Sequence, residues 1–237
     1  MRVLVFLLAL MASPVAAVTC DQVMWQNTSF TVCEVDAESE DLRLFLRDED
    51  GDVLGQFGSV EDASGGTLAF AMNAGMYHAD RGPVGYYVEN GVAEMRVIPN
   101  AGPGNFGLLP NGILCLTDTS AQVYETLDFI ARQPDCRDAT QSGPMLVIDG
   151  ALHPRFIAGS DSTNIRNGVG TSADGRRAVF AISDDPVNFY DFGTLFRDKL
   201  DLPNALFFDG RVSRLYAPQI GRSDIGFALG PIIGVVE

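Results

Sequence analysis

This sequence is poor in the side chains that most often build metal centres and nucleophile–base pairs. It has two histidines, His78 and His153, and four cysteines, none in a Cys-x-x-Cys pair. A zinc site therefore lacks its usual ligand spacing. There is no Gly-x-Ser-x-Gly elbow, so a Ser-His-Asp hydrolase would have to pair Ser142 with His78 or His153, and His153-Pro154 reads as a turn. Basic residues are scarce as well: 16 Lys plus Arg stand against 31 Asp plus Glu, a net charge of −15. Such a surface repels nucleic acid and anionic lipid. No apolar run approaches the roughly 20 residues needed to span a bilayer, which argues against stable membrane insertion. No Pro- or Ser-rich linker, repeat or low-complexity tract divides the chain, which favours one domain.

The N-terminus carries an address. Arg2 precedes the apolar run Val3–Met11, and Ala12-Ser13-Pro14-Val15-Ala16-Ala17 supplies small residues and a helix breaker. This is the layout of a signal peptide over residues 1–17, cut near Ala17, and it predicts a secreted or periplasmic protein with one domain over 18–237. A lipoprotein anchored at Cys20 is the weaker reading, because Thr19 stands where a small residue is expected. In an exported chain an even cysteine count predicts disulfides. Proximity favours Cys20 with Cys33 and Cys115 with Cys136, although four cysteines allow three connectivities.

Short apolar runs recur between Gly, Asn, Asp and Pro, at 67–72, 85–88, 112–116, 145–148, 178–182, 205–208 and 231–236, and each reads as a strand. Several are apolar on consecutive residues, as expected of strands buried on both faces. The best helix is 188–200, where Phe189, Phe192, Leu195, Phe196 and Leu200 form one stripe and Pro203 follows. A second helix is expected near 59–62, and 121–128 fits strand or helix. The fold class is α+β: a single strand-rich domain with a mixed sheet covered by a few helices.

Four glycine-containing clusters combine polar side chains with backbone expected to turn at strand ends: 73–77, 141–144, 166–170 and 209–210. Each alone has a bland explanation, since Asp-Gly is a common hairpin turn and an isolated Gly-x-Gly is weak. Their wording in order carries more. NAGMY at 73–77, QSGPMLVIDG at 141–150, RNGVG at 166–170, AISDDPVNFYDF at 181–192 and ALFFDGRVS at 205–213 resemble the phosphodiester glycosidase family, and within it a bacterial exported branch. The likeness spans about residues 65 to 237. NAGMY stands where the family often has Asn-Gly-Gly-Phe-Phe, and Arg211 and Val212 replace glycines of its Asp-Gly-Gly-Gly-Ser.

The resemblance implies hydrolysis of a sugar 1-phosphodiester, which needs a carboxylate at an oxocarbenium-like centre and donors for phosphate oxygens. Asp209 is the expected nucleophile or base, against a role as turn cap. Arg166 is the expected phosphate clamp, because a guanidinium offers a bidentate fork, against a role as structural ion pair. Ser142 joins them as a catalytic candidate. Asn73, Gly75, His78, Gln141, Gly143, Gly210 and Ser213 are expected around the substrate, with Ser183 and Asp184 in reserve. Tyr77, Tyr86, Tyr87, Phe106 and Tyr216 are candidates for stacking on sugar rings.

The expected partner is a carbohydrate phosphodiester, and no cofactor is required. Two alternatives remain: a carbohydrate-binding protein without catalysis, and a metal-assisted phosphodiesterase holding Ca²⁺ or Mg²⁺ on Asp149, Asp184, Asp185 and Asp209. The sequence is silent on oligomeric state.

Overall fold

The computed structural model describes residues 18–209 and 212–237. The proposed signal peptide, residues 1–17, and two residues of the Asp-Gly-Arg motif, Gly210 and Arg211, lie outside the described residues. The strands form three sheets, and every pairing in them is antiparallel rather than mixed.

The largest sheet has seven strands in the order Thr19–Trp25, Thr28–Asp36, Arg177–Ser183, Asn167–Thr171, Asn204–Phe207, Met145–Ile148 and Ala151–Leu152. Its first hairpin turns on Gln26 and Asn27, both left-handed with φ of 46° and 64°. Such a two-residue turn fixes the register of the strands that flank it. Cys20 thereby stands directly opposite Cys33, and the two are joined. The Arg166–Gly170 segment, expected as a turn, is instead part of a central strand. A side chain on Gly168 would meet the Leu206 carbonyl at 2.5 Å, and one on Gly170 would meet Leu202 and Phe196. These glycines serve close packing, which is why the local sequence mimics a loop.

A second sheet runs Arg222–Ser223, Leu215–Ala217, Leu68–Asn73, Ile232–Val236, Leu42–Phe45, and a third runs Val92–Met95, Tyr87–Glu89, Asp138–Ser142, Gly112–Leu116, Ala121–Glu125. The three inner faces close around one core that includes Leu44, Phe70, Met72, Leu114, Phe180, Leu206 and Phe208. Each outer face carries one helix. Phe57–Ser64 covers the second sheet, Thr126–Arg132 the third, and the helical stretch Phe189–Lys199 the first.

The last of these begins where the side chain of Asn188 accepts a hydrogen bond from the Asp191 amide, and its final turn, Leu195–Lys199, widens to a π-helix. The ambiguous 121–128 stretch is both elements, strand to Glu125 and then helix, with the Glu125 carboxylate capping the amides of Leu127 and Asp128. A second disulfide, Cys115–Cys136, completes the predicted pairing. Among the described residues no helix is long and apolar enough to cross a membrane.

Candidate active site

At one end of the core the three sheets are tied together by the polar residues that the sequence motifs single out. Asn73 ends a strand of the second sheet and Asn167 begins the central strand of the first; the Asn167 amide donates to the Asn73 side-chain oxygen at 2.7 Å. That oxygen also accepts from the Arg214 backbone at 2.9 Å, and the Asn167 side-chain oxygen accepts from the Asp209 amide at 3.2 Å. Ser142, from the third sheet, donates to the Phe208 carbonyl at 2.7 Å. Asn73, Ser142 and Asn167 have no exposed surface. The network holds the backbone leading into Asp209, and the Ser213 hydroxyl donates to the Asp209 carbonyl at 2.9 Å.

Asp209 itself is half-buried and lines a cleft of about 870 Å³. Met76, Tyr77, His78, Arg81 and Val84 form one side, Pro103 to Phe106 another, and Val212 and Phe227 a third. The hydroxyl of Tyr77 is buried without a hydrogen-bond partner. Burial and then the negative charge of Asp209 push its pKa up, against smaller opposite effects of Arg81 and Arg214. Tyr77 is therefore a neutral donor at physiological pH. The Arg81 guanidinium stands over the Tyr77 ring, 5.4 Å from its centroid. Close approaches fix this shape: a Cβ on Gly75 would strike Thr140 and the Gln141 carbonyl, and one on Gly230 would strike the Tyr77 ring at 2.4 Å.

Arg166 is elsewhere in the wall. The residue is 1% exposed, and its guanidinium lies over the Phe189 ring at 3.6 Å from the centroid, with Phe207 at 5.5 Å. It donates to the Val187 and Ser162 carbonyls, and one terminal nitrogen, Nη1, has no partner. Burial lowers its pKa to about 10. The expected converging pocket of Asn73, Ser142, Arg166 and Asp209 thus divides: among these four only Asp209 lines the cleft, and the others stand behind it. Met76 connects the two regions, since it lines the cleft and packs against the apolar cluster that contains Phe207.

The remaining candidates also separate. Gln141 is buried and spends its amide inside the protein, accepting from the amides of Tyr86 and Ile98 and donating to the Ile98 carbonyl and Thr126. Gly143 packs against Asn111 and the Phe106 carbonyl. Ser183 accepts from the Arg166 amide, and Asp184 pairs with Arg222 at 2.8 Å while accepting from Ser29 and Thr31. Of the aromatic candidates Tyr77 and Phe106 reach the cleft; Tyr86 packs on Phe129, Tyr87 is buried against Glu89, and Tyr216 packs on Phe57.

Asp149 borders a separate hollow of about 510 Å³ beside Thr171, at the far end of the central strand from Asn167. Among the described residues no three His, Cys, Asp or Glu side chains gather closely enough to hold a metal ion. The sequence reading did not single out Arg81, Asn105 or Phe227; the polar, Gly-rich stretch 77–85 was a usable signal for Arg81, and none marked the other two.

Comparison with known proteins identifies the family and the fold. Residues 66–224 match the family model described as phosphodiester glycosidase. An uncharacterized Escherichia coli protein, YigE, is 32% identical over 213 residues, covering 88% of this chain and 83% of its own. The fold is that of the catalytic domain of zebrafish N-acetylglucosamine-1-phosphodiester alpha-N-acetylglucosaminidase, with a TM-score of 0.64 at 12% identity over 96% of this chain and 85% of the other. A Burkholderia pseudomallei protein described as exported gives 0.55 at 11% identity, over 89% of this chain and 74% of its own. On the match across most of its length, this chain belongs to the phosphodiester glycosidase family.

Proposed function

We propose that the protein is an exported hydrolase that cleaves the glycosidic bond of a sugar 1-phosphodiester in the Asp209 cleft, with N-acetylglucosamine as the first sugar to test. The observation that carries this reading is the company Asp209 keeps: a carboxylate whose backbone is anchored to the Asn73–Asn167 network shares one cleft with a buried neutral phenol, an imidazole and a guanidinium. In the overall reaction the oxygen of water bonds to the anomeric carbon and the bond from that carbon to the phosphate oxygen breaks. The phosphate leaves with the electron pair as a monoester, and water's remaining proton ends on it or in solvent.

Asp209 supplies the negative charge that an oxocarbenium-like centre requires, either attacking that centre or activating the water. A phosphate leaving group needs little protonation, so donors that bind its oxygens serve in place of a strong general acid. Arg81, His78 and the Tyr77 hydroxyl take that role.

Purified protein should hydrolyse a chromogenic N-acetylglucosamine 1-phosphodiester and leave the matching simple aryl glycoside untouched. Binding of the diester without turnover would overturn the reading in favour of a carbohydrate-binding protein.

A further inference from the structure

We infer that the leaving side of the substrate is apolar: the cleft is built for a sugar 1-phosphodiester whose second alcohol carries an alkyl chain. The inference rests on the phosphodiester glycosidase reading of the same site and adds the substrate class. Among the described residues the groups for chemistry are few, Asp209 with Tyr77, His78 and Arg81, and they suffice for one sugar and one phosphate. The cleft is larger than that need, at about 870 Å³, towards the upper end of the roughly 300–1,000 Å³ of small-molecule sites. Of the rest of the described lining, Met76, Val84, Pro103, Phe106, Val212 and Phe227 are its larger apolar groups, and Asn105 is the one further polar side chain.

The apolar wall also continues out of the cleft. Phe227 is 78% exposed and Ile225, two residues before it, is 93% exposed. Exposed large apolar groups next to a polar site mark a surface that is covered during function. The loop that carries them is held in place. The guanidinium of Arg214, itself 5% exposed, donates to the carbonyls of Asp224 and Phe227 and to the Gln56 side chain. The backbone amide of Arg214 donates to Asn73, so the apolar rim and the network behind Asp209 hang on one residue.

A phosphodiester has two ends. When the sugar and phosphate occupy the polar groups, the second alcohol has the apolar lining left to it. An alkyl chain gains from that burial, whereas a second sugar would face few partners for its hydroxyls. The reaction leaves an alkyl phosphate monoester and the free sugar.

The experiment uses methyl, butyl, octyl and dodecyl esters of N-acetyl-α-glucosamine 1-phosphate, each below its micelle concentration. With the free energy of a fully buried methylene, each added carbon improves binding by about three- to fourfold; a partly open wall lowers that. The expected result is a rise in kcat/KM of about tenfold or more from methyl to octyl, carried mainly by KM. In Phe227→Ser the octyl-to-methyl ratio should fall towards one, and Phe227→Trp should keep it high. Equal turnover of all esters overturns the inference while leaving the hydrolase reading intact.

Calorimetric binding that strengthens with chain length, without turnover, supports the apolar subsite and overturns the hydrolase reading instead. Neither turnover nor chain-length-dependent binding overturns both. A concentration-dependent dimer dissolved by Phe227→Ser would overturn the inference by assigning the rim to a second copy of the chain.

Discussion

Two of the arginines that lie against aromatic rings, Arg166 and Arg81, stand in opposite surroundings. Arg166 is sealed between Phe189 and Phe207 with its guanidinium on backbone carbonyls, whereas Arg81 stands half-buried over Tyr77 on the wall of the cleft. The motif wording pointed to the first and the geometry points to the second. The contrast teaches that residues typical of a family site fall into two sets. One set ties the three sheets together behind the cleft, and the other faces the solvent-filled space where a substrate fits. Loss of the first is read chiefly in stability and loss of the second in rate.

The largest effect that would break this division lies at Asp209. If its carboxylate works in the transition state, Asp209→Asn should lower kcat by about three orders of magnitude with little change in KM. Asp209→Asn keeps the bond to Asn167, which comes from the backbone amide, and thermal unfolding measured beside kcat separates a rate defect from a folding one. Unchanged turnover would remove Asp209 from the chemistry. Next is Arg166→Ala, which empties the space over two rings, removes the donor of the Ser162 carbonyl and leaves the Val187 carbonyl with the Asn164 amide alone. Denaturant titration should show a loss of about 3 kcal/mol. A variant of native stability whose only defect is a raised KM would restore Arg166 as a direct phosphate clamp.

Arg81→Ala reverses that pattern. Its guanidinium is placed to meet an anion in the cleft, so KM for the diester should rise about tenfold while the melting temperature holds. Arg81→Lys should recover part of the loss, since a point charge lacks the bidentate fork.

Tyr77 sharpens the comparison through pH. Its phenol is held above the ordinary value of 10, so the proton stays on through the neutral and mildly alkaline range and leaves only as pH rises past that value. The expected profile of kcat/KM has no fall from Tyr77 below pH 10. Tyr77→Phe should lower kcat/KM about tenfold at neutral pH, consistent with one lost hydrogen bond to a charged oxygen. A loss of activity between pH 7 and 9 that vanishes in Tyr77→Phe would show that the phenol titrates in the wrong range for this role.

Much of the fold was legible in the sequence, and the reasons are local. Gly112–Leu116 and Met145–Ile148 are apolar runs bounded by punctuation, and they are strands with those bounds. The stripe of Phe189, Phe192, Leu195 and Phe196 announced the helical stretch that covers the first sheet. Asn167–Thr171 was hidden because Gly168 and Gly170 are set by neighbours distant in sequence, Leu206 and Leu202, and glycine is also the residue of turns. The first hairpin was missed for a related reason: its outer strand, Thr19–Trp25, alternates exposure too weakly to show a clean period.

The site was half legible. Motif wording led to Asp209 and to the residues that hold it, but whether a side chain faces a cleft or a core depends on how three sheets meet. Nothing in the local sequence around Arg166 encodes that its face carries Phe189 and Phe207, which stand 23 and 41 positions further along.

The smallest expected effect tests the wall where the family motif is most specific. Ser142 lies in the Gln-Ser-Gly-Pro segment and was a catalytic candidate; its hydroxyl is buried and donates to the Phe208 carbonyl. That carbonyl ends the apolar run leading to Asp209, so the bond joins the third sheet to the first just behind the cleft. A nucleophile needs a route to the anomeric carbon and a base to take its proton, and a hydroxyl with no exposed surface already bonded to backbone has neither. Ser142→Ala removes one oxygen and leaves little void. Its cost should be that of one neutral buried hydrogen bond plus an unpaired carbonyl, about 1–2 kcal/mol. Turnover should fall by no more than severalfold, through a slight loosening of the backbone at Asp209, with KM unchanged. Abolished turnover in a Ser142→Ala protein of wild-type stability would move the chemistry into the wall and undo the division between the two regions.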